Sequence, residues 1–409
     1  MIHYNGKRRR SRLATSQQLI KESNLSLILK LIDSHEPISR AELAQMTKLS
    51  PTTVSSLIEE LIEEGLVIET GEGKSETSGR KPIMLTIKSD GRYVICIDIV
   101  KEDFKCLIYD LKCNERADKT YSIKDYDNIG SEIAESIKEN IELASIPEDK
   151  IIGICISIPG LIDEESKRVM STVIPIDEDN DFYEVIAERF DYPVFLMNQS
   201  CLYAYAEKQF GSKEQIKNLV FIDINVGIGA GIITDGDIFN GAYGIAGEIG
   251  HMSLDINGTR CKCGNRGCLE TIASIPAIFQ NIVFGIMAGR ETIIKDMIGN
   301  DYNSLTIEMI RRALDEGDEF IIELIDDIAR KLAFGINNVV NILNPDFVII
   351  GGRIRRFGME LLDRIKHHFH SIAFKSNRDK LTIKYSNIEK NAVGLGGARY
   401  TIDTTFGFN

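Results

Sequence analysis

Residues Gly247 to Glu270 read GEIGHMSLDINGTRCKCGNRGCLE. Cys261, Cys263 and Cys268 follow a Cys-x-Cys-x4-Cys spacing with His251 just upstream. Thiolate and imidazole suit Zn²⁺, and four such ligands around one tetrahedral ion leave no position for a catalytic water. Gly258, Gly264 and Gly267 permit the turns that bring three sulfurs to one point. The stretch is therefore expected to be a structural zinc clip that closes a loop, with His251, Cys261, Cys263 and Cys268 as its ligands. Ordinary free thiols are the alternative, but a buried structural Cys belongs in an apolar run, and this context is polar and Gly-rich. The clip would also gather Glu248 and Glu270. Alone, each would be a solvated surface charge. Fixed beside an imidazole edge, the two carboxylates can accept hydrogen bonds from sugar hydroxyls.

GEIGH followed by CxCGxxGCLE resembles the signature of the ROK family (repressors, open reading frames, kinases). The resemblance runs from about residue 92 to the C-terminus. It implies an actin/hexokinase-like fold, a duplicated ribonuclease H-like α/β architecture in two lobes, and a role as a sugar kinase or a sugar-responsive repressor. It leaves open which branch this chain represents.

The chain of 409 residues can hold two or three compact units, and 43% hydrophobic with 27% charged residues is a soluble globular composition. No apolar run reaches eighteen residues, so no membrane span is expected, and the basic N-terminus lacks the apolar segment of a secretory signal. Eight scattered cysteines and a metal-type cluster fit a reducing cytoplasm. The net charge of −13 is unevenly spread: Lys7, Arg8, Arg9, Arg10 and Arg12 form a basic arm on an otherwise acidic chain. That asymmetry fits a modular DNA binder whose other module handles a small molecule.

Residues 1–18 read either as a solvated flexible tail or as an arm that reaches phosphate or the minor groove. Residues 19–90 carry the order of a winged helix-turn-helix. Leu25, Ile28, Leu29, Leu31 and Ile32 recur at helical spacing behind a candidate cap, Asn24. Ser39 with Glu42 forms a capping-box pattern ahead of a short helix. Ser50 and Pro51 open a third helix that Gly65 closes. That helix starts with small hydroxyls that can approach base edges. Two strands flanking GEGKSETSGRKP form a wing, with Arg80 and Lys81 at its base. Arg40, Ser50, Pro51, Thr52, Thr53, Ser55, Ser56, Arg80 and Lys81 are the expected DNA-contacting residues. A module that binds protein instead is the alternative. The arrangement resembles ROK-type repressors such as the xylose repressors, whereas kinase members of the family start directly with the sugar domain.

Residues 91–409 are expected to form the two-lobed domain, with a lobe boundary near 200 and a C-terminal segment returning to the first lobe. A weak internal echo supports this: Tyr93–Val100 and Leu219–Val226 are both apolar strands interrupted by Asp (Asp98, Asp223) and followed by a turn and another strand. The kinase pattern Asp-Ile-Gly-Gly-Thr-Lys is replaced by Asp98-Ile99-Val100-Lys101-Glu102-Asp103. Side chains and two negative charges stand there where a phosphate would be cradled, which is unfavourable by ~1 kcal/mol or more per charge. The second loop, Asn225 to Gly231, keeps its glycines. Asn198-Gln199 resembles the family's Asn-Asp pair, in which the Asp is the general base. Gln199 cannot accept a proton at neutral pH, and loss of a general base lowers the rate by ~10²–10⁴. No enzymatic activity and no ATP are therefore expected, the alternative being a ROK sugar kinase with an appended regulatory domain.

The resemblance places Ser157, Pro159, Gly160, Asn198, Gln199, Glu248, His251 and Glu270 at sugar-contacting positions. Gly351-Gly352 reads either as the family's adenosine site or as a plain turn. Lys366 to His370, despite three His, reads as a solvated helix face, and Gly394 to Ala398 as close helix packing. The resulting expectation is a cytoplasmic repressor of carbohydrate utilisation, xylose metabolism among the candidates. It would bind operator DNA and a sugar effector as a homodimer, the alternative being a tetramer, with structural zinc and no membrane partner. The sugar's identity and its sense, inducer or corepressor, stay open.

Overall fold

The computed structural model describes residues 16–72, 81–163, 166–172, 174–177, 180–212, 214 and 216–408. The basic arm from Lys7 to Arg12, most of the expected wing tip and Arg80 lie outside them. The chain divides into two compact units, residues 1–202 with 393–409, and residues 203–392.

The first unit opens with helices α1 (Ser16–His35), α2 (Arg40–Thr47) and α3 (Pro51–Glu63). The three-stranded sheet beside them holds β1 (Ile38–Ser39), β2 (Val67–Glu72) and β3 (Ile83–Ile87) in the order β1-β3-β2. Helix α1 begins at Ser16, well before Asn24, so Asn24 is not its cap, and residues 16–18 are helical rather than arm. Gln17, Gln18, Leu19, Lys21 and Glu22 are good helix formers and carry the helix outward, leaving Leu19 and Ile20 exposed. The local stop and start signals of the other two helices operate as the sequence indicates. Ser39 and Glu42 form a reciprocal capping box. Ser50 accepts from the Thr53 amide with Pro51 in the first turn, and Gly65 follows in a left-handed conformation. Leu25, Ile28, Leu29 and Ile32 of α1 and Val54, Leu57, Ile58 and Leu61 of α3 are buried, so periodicity becomes a core.

The same unit continues with β4 (Tyr93–Ile99), β5 (Asp103–Asp110), β6 (Glu115–Ser122), α4 (Ile129–Leu143) and β7 (Ile151–Ile158). It goes on through β8 (Gly160–Asp163), β9 (Arg168–Thr172), α5 (Phe182–Arg189), β10 (Val194–Asn198) and α6 (Gln199–Phe210), whose later residues belong to the second unit. The second unit holds β11 (Leu219–Ile224), β12 (Ile228–Thr234), β13 (Asp237–Ile238), α7 (Leu269–Ala273) and α8 (Ile275–Met287). After these come α9 (Ile293–Ile298), α10 (Ile307–Asp315), α11 (Glu319–Leu343), β14 (Phe347–Gly351), α12 (Met359–Ile372), α13 (Lys375–Lys380) and β15 (Thr382–Tyr385). Helix α14 (Ala392–Phe406) closes the chain back in the first unit.

Each unit contains one five-stranded sheet, and the two orders correspond: β6-β5-β4-β7-β10 and β13-β12-β11-β14-β15. In both, the first three strands are antiparallel and the last two run parallel to the third. This is the structural content of the internal echo. Central strands covered on both faces read as continuous apolar runs, and Ile151 to Ile158 is buried at every position. Asp98 and Asp223 stand at matching places, next to Ser157 and Gly351 on the neighbouring parallel strand. Among the described residues no helix is long and apolar enough to cross a membrane.

Candidate functional site

The Gly247–Glu270 stretch is bound to β12 through backbone contact. The Ala230 amide donates to the Gly247 carbonyl at 2.8 Å. Gly247 has φ +96°, and a Cβ there would lie 2.0 Å from the Ala230 carbonyl oxygen, so no side chain is tolerated. The Met252-to-Leu269 segment then folds on itself: Leu254 donates to Gly267, Gly267 to Thr259, Cys261 to Asn265 and Gly264 to Cys261. These turns converge the donor atoms of His251, Cys261, Cys263 and Cys268 to within 4.8 Å of one another. His251 Nδ1 is 3.6 Å from Cys261 Sγ, and Cys263 Sγ is 3.7 Å from Cys268 Sγ. The cysteines are free thiols, and the four residues could hold one metal ion.

His251 is engaged at both ring nitrogens. Nδ1 faces Cys261, while Nε2 lies 3.7 Å from Glu248 Oε2, an arrangement that orients a ligating imidazole from behind. Burial raises the Glu248 carboxyl above its ordinary range; His251 opposes this and Glu270 adds to it. Glu270 is more enclosed. Its Oε2 accepts from the Ile228 amide at 3.1 Å, and Oε1 lies 3.5 Å from Lys262 Nζ. Gly227 lies against that carboxylate: a Cβ there would stand 2.8 Å from Glu270 Oε2. The glycines of the second loop thus admit a protein carboxylate, and the Ile228 amide answers it. Glu248, His251 and Glu270 are brought together in the second unit.

The other sugar-site candidates gather in the first unit around Asp98. Gln199 Nε2 donates to Asp98 Oδ1 (2.7 Å) and to the Ile99 carbonyl (3.0 Å), and Ser157 Oγ donates to the same Oδ1 (2.6 Å). Burial raises the Asp98 carboxyl, and the Ser157 and Gln199 bonds pull against that. Asn198 Nδ2 donates to the Gly160 carbonyl (2.6 Å), and its Oδ1 accepts from the Ser200 amide (2.7 Å), which fixes the Pro159-Gly160 turn against the start of α6. The loop after β4 is a closed turn: the Val100 amide donates to the Asp103 carbonyl at 2.9 Å. In the second unit Asn225 Nδ2 donates to both oxygens of Asp223 at 2.9 Å. A side-chain amide therefore occupies each of the two matching aspartates. Sequence reading recognised Asp98 and Asp223 as strand-end landmarks but missed them as hubs, because their partners are named only by folding.

In the helical module Thr52, Thr53 and Ser56 are exposed, Ser55 is half-exposed, and Ser50 Oγ lies 2.8 Å from both the Thr52 and Thr53 hydroxyls. Arg40 is paired with Glu69 (2.8 Å) and Lys81 with Glu72 (3.3 Å). Helix α3 contains neither Lys nor Arg, so any phosphate charge must be met from elsewhere.

Comparison with known proteins agrees with this layout. The family profile described as "ROK family" matches residues 94–404, and the one described as "Winged helix-turn-helix DNA-binding" matches residues 22–68. The chain is 32% identical over 400 residues to the "Putative xylose repressor" of Caldicellulosiruptor sp. (strain Rt8B.4), covering 95% of this chain and 98% of that one. It is 29% identical over 379 residues to the "DNA-binding transcriptional dual regulator NagC" of Escherichia coli (strain K12), covering 92% of each. Among solved structures it resembles a ROK family transcriptional regulator described as a homolog of the E. coli MLC protein, with TM-score 0.83, 29% identity and coverage of 95% and 96%.

Proposed function

This chain belongs to the ROK family, and on that premise we propose that it is a sugar-responsive DNA-binding repressor of carbohydrate-utilisation genes, without kinase activity. The observation that carries the reading is the Gln199 amide on Asp98. An amide stands where the resemblance expects a base, and it occupies the acid at the end of β4. One relative named as a putative xylose repressor and another named as a DNA-binding transcriptional dual regulator support the same conclusion.

Residues 19–90 are proposed as the DNA-reading module and 91–409 as the sugar domain. Ser50, Pro51, Thr52, Thr53, Ser55 and Ser56 would meet base edges and phosphate, with Arg40, Arg80 and Lys81 at the flanks. Ser157, Pro159, Gly160, Asn198 and Gln199 in the first unit, and Glu248, His251 and Glu270 in the second, are each proposed as sugar-contacting residues. The ion that suits the His-Cys cluster is zinc. Tetrahedral bonds of ~2.3 Å to sulfur and ~2.0 Å to nitrogen imply edges of about 3.8 Å between sulfurs and about 3.5 Å between sulfur and nitrogen. The observed separations of 3.7 and 3.6 Å fit. Zinc supplies a rigid tether there, and His251 and Glu248 share it with the sugar side. A homodimer follows from paired half-sites one helical turn apart, and free thiols suit the cytoplasm.

Sugar can release or recruit DNA only through unequal affinity for two arrangements of the protein. The test is fluorescence anisotropy on DNA fragments enriched by the protein from a random-sequence library, titrated with D-xylose and N-acetyl-D-glucosamine. A change in DNA affinity with one of them is expected. Affinity indifferent to both, or steady ATP-dependent phosphorylation of either above about 1 s⁻¹, would overturn the reading.

A further inference from the structure

Helix α14 touches two things at once within the first unit. On one side it packs on the five-stranded sheet. Gly397 lies against the sulfurs of Cys96 and Cys155, the buried Thr401 lies over Gly153, and the Tyr400 ring meets Phe195 edge-on at 5.7 Å. Phe195 belongs to β10, the strand that ends at Asn198 and delivers Gln199. On the other side α14 meets α1, the first helix of the DNA-reading module. Arg399 reaches Asp33 of α1 at 2.6 Å and Asp403 of its own helix at 2.8 Å, with side-chain exposures of 15%, 16% and 4%. The chain end beyond α14 follows it: the Gly407 carbonyl accepts from Ser26 Oγ at 2.9 Å, and the Phe408 carbonyl accepts from Lys30. The Arg399 guanidinium also lies over the Phe408 ring, 5.8 Å from its centroid.

An enclosed ion pair is a poor way to gain stability, since apolar contacts of the same volume do as well or better; its best-attested use is to specify one arrangement over another. The pair also joins residues 366 positions apart, so it specifies where α1 sits on the body that carries the sugar-site strand. The ion pair just beyond the end of α1, Lys112 to Glu36 at 2.7 Å, is more exposed.

We infer that α14 is the relay of this protein, and that the Arg399–Asp33 contact is the joint through which sugar occupancy at the end of β10 resets the DNA-reading module. The inference rests on the sugar-responsive reading above and adds the path to it. Sugar that shifts Asn198 and Gln199 moves β10 beneath Tyr400, and α14 passes the shift to Asp33. Arg399 and Asp33 are positioning residues; neither is expected to touch sugar or DNA.

The test uses the full chain and two variants. Asp33→Asn keeps the side chain's shape and leaves Arg399 beside Asp403, so it preserves the fold where Arg399→Met takes the guanidinium from both carboxylates; Arg399→Lys is the second variant. Without any ligand, hydrogen exchange of amides 16–35 should quicken about tenfold in both. In the presence of D-xylose or N-acetyl-D-glucosamine, calorimetric sugar affinity should stay within twofold of wild type. The ratio of DNA Kd with and without sugar should fall from the 5- to 150-fold typical of allosteric coupling to under threefold. Unchanged exchange in both variants overturns the joint whatever the sugar does. A wild-type response that survives intact in Asp33→Asn overturns the relay alone. Wild-type DNA binding that ignores both sugars overturns the sensor reading and the relay together.

Discussion

Gln199 Nε2 sits 2.7 Å from Asp98 Oδ1, and the same nitrogen donates to the Ile99 carbonyl. Both of its protons are spent on the end of β4. An amide and a carboxylate make a neutral-to-charged hydrogen bond, whereas a carboxylate in place of Gln199 would confront Asp98 with a like charge.

Gln199→Asp should therefore destabilise rather than restore chemistry. Two carboxylates sharing one site hold one proton between them, and losing the amide bond costs a further ~1–3 kcal/mol at neutral pH. The urea midpoint should drop, more at pH 8 than at pH 5. An ADP-coupled assay with xylose or glucose should stay at background, because the turn after β4 still carries Val100 and Lys101 in place of glycines, with Glu102 and Asp103 after them. Brisk turnover in the variant would show that only the base had been missing.

Asp223 gives a pH signature of the second unit. Burial raises its carboxyl from 3.8 to about 6, outweighing the bond from Asn225. The folded state then binds the proton more tightly than the unfolded state. The stabilisation is complete below about pH 3.8 and is lost as pH rises through about 6. In Asp223→Asn that dependence disappears. The wild-type advantage over the variant should shrink by about 2 kcal/mol between pH 4 and 7, at 1.36 kcal/mol per pKa unit with allowance for partial exposure. Urea unfolding at four pH values reads it, and a constant gap would contradict it.

The metal cluster predicts one equivalent of zinc per chain by elemental analysis. Cys263→Ser should abolish it and lower Tm, as should a strong chelator added to the wild type. Glu248→Gln should leave the stoichiometry intact while weakening zinc about 10- to 100-fold, the usual effect of losing a partner behind a ligating His. Zinc affinity unchanged in Glu248→Gln would show that the carboxylate does not orient His251.

DNA binding should show a shallow salt dependence for the α3 contacts themselves, since that helix has no cation. Lys48, exposed at the turn between α2 and α3, stands just before the N-terminal end of α3. Lys48→Ala should weaken all sequences alike and reduce the slope of log K against log salt by about one. Thr52→Ala should instead relax preference among sequences and leave the slope alone. Anisotropy from 50 to 300 mM salt separates the two.

The parts of this protein legible without coordinates are those governed by neighbours in the chain. The Ser39–Glu42 box, the Ser50-Pro51 start, the apolar strands ending near Asp98 and Asp223, and the Cys-x-Cys-x4-Cys turn all act over a few residues, where backbone geometry leaves few choices. The same logic misjudged the start of α1, because a run of helix formers extends a helix past any single capping residue. Folding alone decided which distant groups meet. Gln199 finds Asp98 across 101 positions and Arg399 finds Asp33 across 366. Those pairings depend on strand order and on the return of α14, and a side chain's partner at such separations is set by the packing of whole elements rather than by any pattern along the chain.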